Sequence, residues 1–365
     1  MKARVVVAMS GGVDSSVAAA LLAQQGYDVT GITLQLWGKD VCTTAGTRLC
    51  CSVRDTLDAK AVCKRLGIPH ETLELAEAFR TNVIDYFVQE YQQGLTPNPC
   101  IACNTYIKFG ELYSRADALS ASFIATGHYA RLHKSDIGRT ELMRSTDPSK
   151  DQSYVLFDLS QEQLSRSLFP LGELSKDQVR ALARELGFIN ADKPDSQDVC
   201  FVRDRNKDGF LRKELKVDDS PGPITDAQGH VLGTHQGLLG YTIGQREGIG
   251  LALGKPIYVV AMDHASNRLV VGEKEALLKT EFAAERVNWV SIPCPSEPIR
   301  AQIKIRSRHT PALATITPDG AGRISARFDV AQPAITPGQA AVFYDGDQVL
   351  GGGWISAFDG QNGSN

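Results

Sequence analysis

No stretch of this sequence approaches the roughly 18 consecutive apolar residues of a membrane-crossing helix, and the 365 residues contain no internal repeat and no low-complexity segment. A membrane protein and a repeat array are therefore excluded as readings. Basic residues are not in surplus either. The formal net charge is −3, so a sequence-independent nucleic-acid coat, which needs an excess of Lys and Arg on the binding face, is not expected; a local basic patch is compatible with that balance. Residues 1–4 lead straight into an apolar run and are too short for a secretory leader, so the expected location is cytoplasmic. In that reducing compartment the eight cysteines read as buried, catalytic or metal-binding groups rather than structural disulfides.

What the chain does have is apolar content for one large and one or two smaller cores. Over the first two hundred residues, β-branched runs alternate with helical patterns. Val5 to Met9 predicts a strand, Asp14 to Gln24 a helix stopped by Gly26, Val29 to Leu36 a second strand, and Val53 to Leu66 a helix that Ser52 can cap and Gly67 closes. A strand near Thr72 to Leu75 and a helix from Ala76 to Gln92 follow. The fold class is α/β, with a Rossmann-like parallel sheet of the adenine nucleotide alpha hydrolase type.

Two prolines in Leu95 to Cys100 predict an extended loop, with the next helix starting near Tyr106. Phe123 to Thr126 predicts a buried strand ending at Gly127-His128, where open α/β sheets place ligands. From about Pro221 the pattern changes to short strands, such as Ile257 to Met262 and Leu269 to Val271. Alternation in Ala301 to Arg308, Ala312 to Thr317 and Ala341 to Tyr344 then predicts a small C-terminal β-barrel. The expected domains are 1–205, 206–280 and 281–365.

Ser10-Gly11-Gly12-Val13-Asp14-Ser15 lies between a strand and a helix, so backbone N–H groups and the positive end of a helix dipole surround an anion there. Gly11 and Gly12 permit close approach, Ser10 and Ser15 add hydroxyl donors, and Asp14 can orient the loop or hold Mg2+ against phosphates. The Lys-Ser/Thr pair of a Walker loop is missing, so the cradle is of another kind. It resembles the PP-loop of the ATP pyrophosphatase superfamily, whose members use ATP to adenylate a carbonyl oxygen.

Cys100 and Cys103 form a Cys-x-x-Cys beside a helix start, which lowers a thiol pKa, and Cys200 closes the polar segment Asp195-Ser196-Gln197-Asp198-Val199-Cys200. The PP-loop, the Pro97-Asn98-Pro99 segment running to Cys103-Asn104, and the Cys200 segment together resemble the tRNA-specific 2-thiouridylases. The likeness continues through Gly127-His128-Tyr129-Ala130, Lys150-Asp151-Gln152-Ser153-Tyr154, Tyr241 to Arg246 and Pro337-Gly338-Gln339, and so spans the whole chain. It implies ATP-dependent 2-thiolation of the wobble uridine of tRNA, with uridine O2 adenylated and sulfur delivered from a cysteine persulfide, releasing AMP and pyrophosphate.

By the same resemblance Cys200 carries the persulfide, and Cys103 is the nucleophile that closes a transient disulfide with it. Ala8, Met9, Ser10 to Ser15, Leu34 and Gly127 contact ATP; Asn98, Pro99 and Cys100 meet the target base; His128, Lys150, Asp151, Gln152, Arg306, Ser307 and Gln339 meet tRNA. The three domains become a PP-loop catalytic domain, a central tRNA-binding linker domain and the barrel. The implied partners are tRNAs of the Lys, Glu and Gln acceptors and a sulfur-donor protein, a cysteine desulfurase or relay. The family commonly carries Asp where this chain has Cys100, so an alternative stays open in which Cys100, Cys103 and Cys200 ligate a 4Fe–4S cluster.

Lys304, Arg306 and Arg308 alternate along the expected strand, so all three face one side, as a phosphate backbone would need. Cys42, Cys50, Cys51 and Cys63 read as packing residues, and Cys294, beside two prolines, as structural.

Overall fold

A computed structural model describes residues 2–37, 53–195, 199–202, 206–216 and 220–356. Cys42, Cys50, Cys51, the Ser52 cap and Ser196 to Asp198 lie outside the described residues.

The first sheet is wholly parallel. β1 (Arg4–Ala8), β2 (Asp28–Gln35), β3 (His70–Glu74), β4 (Phe123–Ala125) and a short strand at Ser167–Leu168 pair in the order β3-β2-β1-β4 with the short strand outermost. Val5, Val6 and Val7 are all fully buried because helices cover both faces, which is why β1 reads as a continuous apolar run rather than an alternating one. Val5 and Val7 pack against α1 (Val13–Gln24), α2 (Val53–Leu66) and the helix Lys176–Glu185. Val6, Ile32 and Ile124 face the other way, towards helical segments spanning 76–92 and 99–118. The chain leaves β1 for β2 on one side and later fills β4 on the other, so the C-terminal ends of β1 and β4 border the crevice where such sheets bind ligands.

Both segments on that second face contain π-helical turns. Arg80–Asp85 interrupts the first, between Ala76–Phe79 and Tyr86–Gln92, and Cys103–Glu111 the second, between Pro99–Ala102 and Leu112–Ala118. The second segment corrects the expectation of an extended loop up to Tyr106. Asn98 is the N-cap, its side chain accepts from the Cys100 N–H at 3.1 Å, and Pro99 occupies the first helical position. Proline costs nothing there, because its missing N–H is one the helix leaves unpaired anyway.

The central region pairs four strands, Gly222–Thr225, Val231–His235, Tyr258–Asp263 and Arg268–Gly272, around Ile224, Val259, Leu269 and Val271. In the C-terminal region, six strands between Leu278 and Ile355 run in one antiparallel order whose first and last members also pair, which closes a barrel. A hairpin from far upstream, Ala130–Lys134 with Thr140–Arg144, joins the same sheet through Met143↔Gln348 and Leu142↔Val349. The strand expected over Ala301 to Arg308 ends at Lys304. Arg306 and Arg308 lie in the turn beyond it, so they do not continue one strand face with Lys304.

Candidate active site

At the end of β1 the Met9 N–H reaches the Ile32 carbonyl at 2.8 Å, and the chain then turns through Ser10, Gly11 and Gly12 into α1. Gly11 has φ +72°, and a Cβ there would overlap the Asp55 carbonyl at the start of α2; only glycine fits. The Ser15 hydroxyl binds the Gly12 carbonyl at 3.1 Å and lies 3.2 Å from the Ser10 hydroxyl, and Ser16 Oγ binds the Gly12 carbonyl at 2.9 Å. No side chain caps the N-terminus of α1. Its leading N–H groups and the positive end of a 12-residue helix dipole are thus left for an anion.

Beneath the loop lies a set of paired charges. Lys176, 8% exposed, binds both Asp14 oxygens at 2.8 Å and Asp195 at 2.6 Å. Tyr129 donates to Asp14 at 2.8 Å. Lys150 at 2.7 Å and Arg180 at 3.4 Å also meet Asp195. Burial alone would raise the Asp195 carboxyl, but the hydrogen bonds and charges of Lys150 and Lys176 outweigh it and hold the group below its ordinary range. On the other side, Lys193 ties the Gly11 carbonyl (3.0 Å) to Asp55 (2.5 Å) and Asp58 (2.7 Å), and Asn190 binds the Gly11 carbonyl and Ser16 Oγ. Asp14 is thus ion-paired with Lys176 and hydrogen-bonded by Tyr129.

Lys176, Asn190, Lys193, Asp55 and Asp58 are absent from the sequence expectation. The Ser175–Gln178 capping box announces a helix start at Lys176, but nothing local says that its ammonium reaches Asp14.

At the end of β4, Gly127 lies against α1 so closely that a Cβ would sit 2.7 Å from the Ser15 nitrogen. Leu34 puts its side chain into the core at 6% exposure, leaving its backbone at the end of β2. His128 is also 6% exposed. Its Nδ1 is 2.7 Å from Thr126 Oγ1 and its Nε2 is 3.4 Å from Lys108 Nζ. Burial, with the Lys108 charge second, pushes the imidazole well below its ordinary pKa, so it is neutral.

The expected tRNA segment at 150–152 sits beside this network. Lys150 is ion-paired, Asp151 accepts from Ser145 and Ser153, and Gln152 exchanges hydrogen bonds with the Tyr129 backbone.

The thiol residues occupy the opposite face of the sheet. Cys100 is exposed in the first turn after Asn98, and Cys103 opens the π-helical stretch and packs, half-buried, on the same apolar core as Cys200. Phe201, next to Cys200, meets Phe79 and Phe87 edge-on at 6.0 and 5.1 Å, on the segment against which the Cys103 helix packs. Among the described residues no three His, Cys, Asp or Glu side chains converge as a metal site. Cys100, Cys103 and Cys200 form no such group among the described residues.

The barrel holds this half of the site from outside. Thr96 N–H binds the Pro337 carbonyl at 2.9 Å, Gln339 Nε2 binds the Thr96 carbonyl at 2.7 Å, and a Cβ on Gly338 would lie 2.8 Å from the Thr96 nitrogen. Gln339 thus faces the protein. Arg306 is half-buried and binds the Pro333 carbonyl, and Ser307 is exposed. Lys304 lies over the Tyr154 ring, 5.7 Å from its centroid. Two cysteine expectations resolve differently: Cys63 is buried, its thiol pushed up to about 11 by burial, whereas Cys294 is exposed and packs no core.

The family models that match are a tRNA methyl transferase HUP domain over residues 3–204, a tRNA methyl transferase PRC-barrel domain over 208–273 and an aminomethyltransferase beta-barrel domain over 279–355. The chain is 50% identical to the tRNA-specific 2-thiouridylase MnmA of Heliobacterium modesticaldum, over 97% of this chain and 93% of that protein. It is 48% identical to the one of Symbiobacterium thermophilum, over 96% and 92%. Among solved structures, a 4-thiouridine synthetase–RNA complex with bound ATP is similar only remotely, with a TM-score of 0.34 and 15% identity over 55% of this chain and 45% of that one. With identity of this order along nearly its whole length, the chain belongs to the family of tRNA-specific 2-thiouridylases.

Proposed function

We propose that the protein is a tRNA-uridine 2-sulfurtransferase that adenylates O2 of the wobble uridine with ATP and replaces that oxygen by sulfur. The observation that carries this is the pairing of an uncapped, hydroxyl-lined helix N-terminus with two core-supported cysteines across the same sheet. Two of the matching family models bear methyl transferase descriptions, but the full-length relatives bear the thiouridylase name, and two cysteines packed on the sheet face opposite the phosphate cradle are compatible with it.

The loop from Ala8 to Ser15 binds the phosphates of ATP. The donors there are amides and hydroxyls, and Asp14 is paired with Lys176 and Tyr129, so these residues would accept ATP as its Mg2+ complex rather than cage the ion themselves. Uridine O2 attacks the α-phosphorus, the bond to pyrophosphate breaks, and the uridine becomes an adenylate. A persulfide on Cys200 then forms a bond from its terminal sulfur to C2, and the C2–O2 bond breaks with its electron pair leaving on AMP. The Cys103 thiolate attacks Cys200 Sγ, the S–S bond of the persulfide breaks, and its electron pair stays on the sulfur now held by uridine. The product disulfide Cys103–Cys200 is reopened by a thiol reductant. Cys100, with Asn98 and Pro99, lies beside the target base in this reading. Arg306, Ser307 and the segment 150–152 border the tRNA, and a sulfur-donor protein reloads Cys200.

Incubation with ATP, Mg2+, a persulfide donor and unmodified tRNA, followed by mass spectrometry of nucleosides, tests this. Formation of 2-thiouridine with stoichiometric AMP is expected; AMP without any sulfur gain would assign the protein to another adenylating activity.

A further inference from the structure

Among the described residues, the charges around the phosphate loop leave one nearby cation, Lys108, without a carboxylate partner. Lys150, Lys176 and Lys193 each form close ion pairs with Asp14, Asp55, Asp58 or Asp195. A lysine spent on a carboxylate is poorly placed to take a phosphate charge as well. Lys108 is different. It is half-buried, no carboxylate among the described residues pairs with it, and its polar partner is the neutral ring of His128, 3.4 Å away.

The hydrogen-bond chain fixes how that ring serves it. An ammonium only donates, so His128 Nε2 must accept, and the ring proton then lies on Nδ1 and is donated to Thr126 Oγ1 at 2.7 Å. His128 is in turn wedged between Phe109 and Phe169, with ring centroids 6.1 Å apart in both cases. Thr126 and His128 therefore aim Lys108 without neutralising it.

The location joins the two halves of the site. His128 directly follows Gly127, which touches the Ser15 backbone at the start of α1. Lys108 itself belongs to the π-helical stretch that Cys103 begins. In an α-helix a residue five positions on lies roughly 140° around the axis from the first, whereas i→i+5 winding brings it back towards the same side. The π-turn thus swings Lys108 towards the Cys103 face and the end of β4.

We propose that Lys108 is a further catalytic residue, whose ammonium group binds the α-phosphate of the adenylated uridine and stabilises AMP as it leaves. When sulfur bonds to C2 and the C2–O2 bond breaks, the electron pair goes to O2, and the phosphate gains one negative charge. Lys108 meets that charge as a hydrogen-bond donor and keeps its proton. A donor aimed at charge that develops in the transition state is worth roughly 100- to 1000-fold in rate. The inference rests on the proposed thiolation, so wild-type protein in the same assay separates the two: absence of 2-thiouridine from wild type would refute the function, not the role of Lys108.

The test compares wild type, Lys108→Ala, Lys108→Gln and Lys108→Arg in single-turnover 2-thiouridine formation, alongside thermal melting and tRNA affinity. Both neutral variants are expected to lose about 100-fold in rate, with unchanged melting and tRNA affinity, and Lys108→Arg to recover a substantial part. Rates within three-fold of wild type for the neutral variants would overturn the proposal. So would a loss that tracks melting or tRNA affinity, or one that arginine does not rescue at all, since each marks a structural or tRNA-docking role.

Discussion

The phosphate-binding half and the thiol-bearing half share one sheet but are built on opposite principles. Around Gly11 and Asp14, four carboxylates, three lysines, Arg180 and Asn190 form a polar network, half-buried except for the buried Lys176 and Asn190, in which each charge has a partner. Around Cys103 the support is apolar: Phe79, Phe87 and Phe201, two π-turns, and a barrel loop that grips Thr96. A phosphate cradle works by preorganised donors and gains from rigidity. The proposed persulfide relay needs sulfur atoms that can be reached by donor, base and each other, and Cys103 and Cys200 are both half-exposed.

If that division is real, the halves separate by mutation. Cys103→Ser and Cys200→Ser should abolish 2-thiouridine formation, a loss beyond about 1000-fold, while tRNA-stimulated pyrophosphate release and thermal stability stay near wild type; loss of pyrophosphate release would merge the halves into one unit. Next in size is Lys176→Met. It leaves Asp14 and Asp195 without their shared buried cation and should cost about 3–5 kcal/mol in urea unfolding, together with ATP turnover. An unchanged denaturation midpoint would show that the charge network does not hold the cradle.

Gly338→Ala probes the brace on the other half. At φ +85°, with a Cβ 2.8 Å from the Thr96 nitrogen, it should cost about 1–3 kcal/mol and slow sulfur transfer more than AMP formation. Equal slowing of both would place the brace under the whole site.

The smallest effect is a difference in sign with pH. Asp158 accepts from Thr105 on the Cys103 helix, and burial raises its carboxyl to about 6. Between the unfolded value near 4 and 6 the folded state keeps a proton that the unfolded state has lost, so stability falls as pH rises through that window. Asp158→Asn should flatten this slope. Asp195, depressed by Lys150 and Lys176 against its burial, acts oppositely: its contribution is present above about pH 4 and fades as pH falls through the lower folded value. Melting curves from about pH 2 to 7 distinguish the two, and an unaltered slope in the Asp158 variant would sink the first assignment.

The strand–loop–helix at residues 4–24 was legible because its signals are local: a β-branched run, two glycines, then small apolar residues at helical spacing. The helix Val53–Leu66 was legible in the same way. The helix start at Pro99 was misread as loop because proline was weighed as a breaker, although Asn98 before it is a capping residue. The Ala130–Arg144 hairpin was not seen as part of the barrel sheet, because its partner strand lies some two hundred residues downstream and β pairing leaves no local trace of its partner.

By itself the sequence determined most of the local elements and marked the glycine loop and the Cys100–Cys103 pair by residue type and spacing, whereas Cys200 is a candidate only through the family resemblance. Tertiary structure alone decided which charges are spent and which are left. Lys176 and Lys193 look no different from Lys108 in one dimension, yet the first two are consumed by carboxylates brought from distant segments, and the third is held by a neutral histidine. Coulomb pairing acts through a few ångströms of space and is indifferent to separation along the chain, so only the folded arrangement could show it.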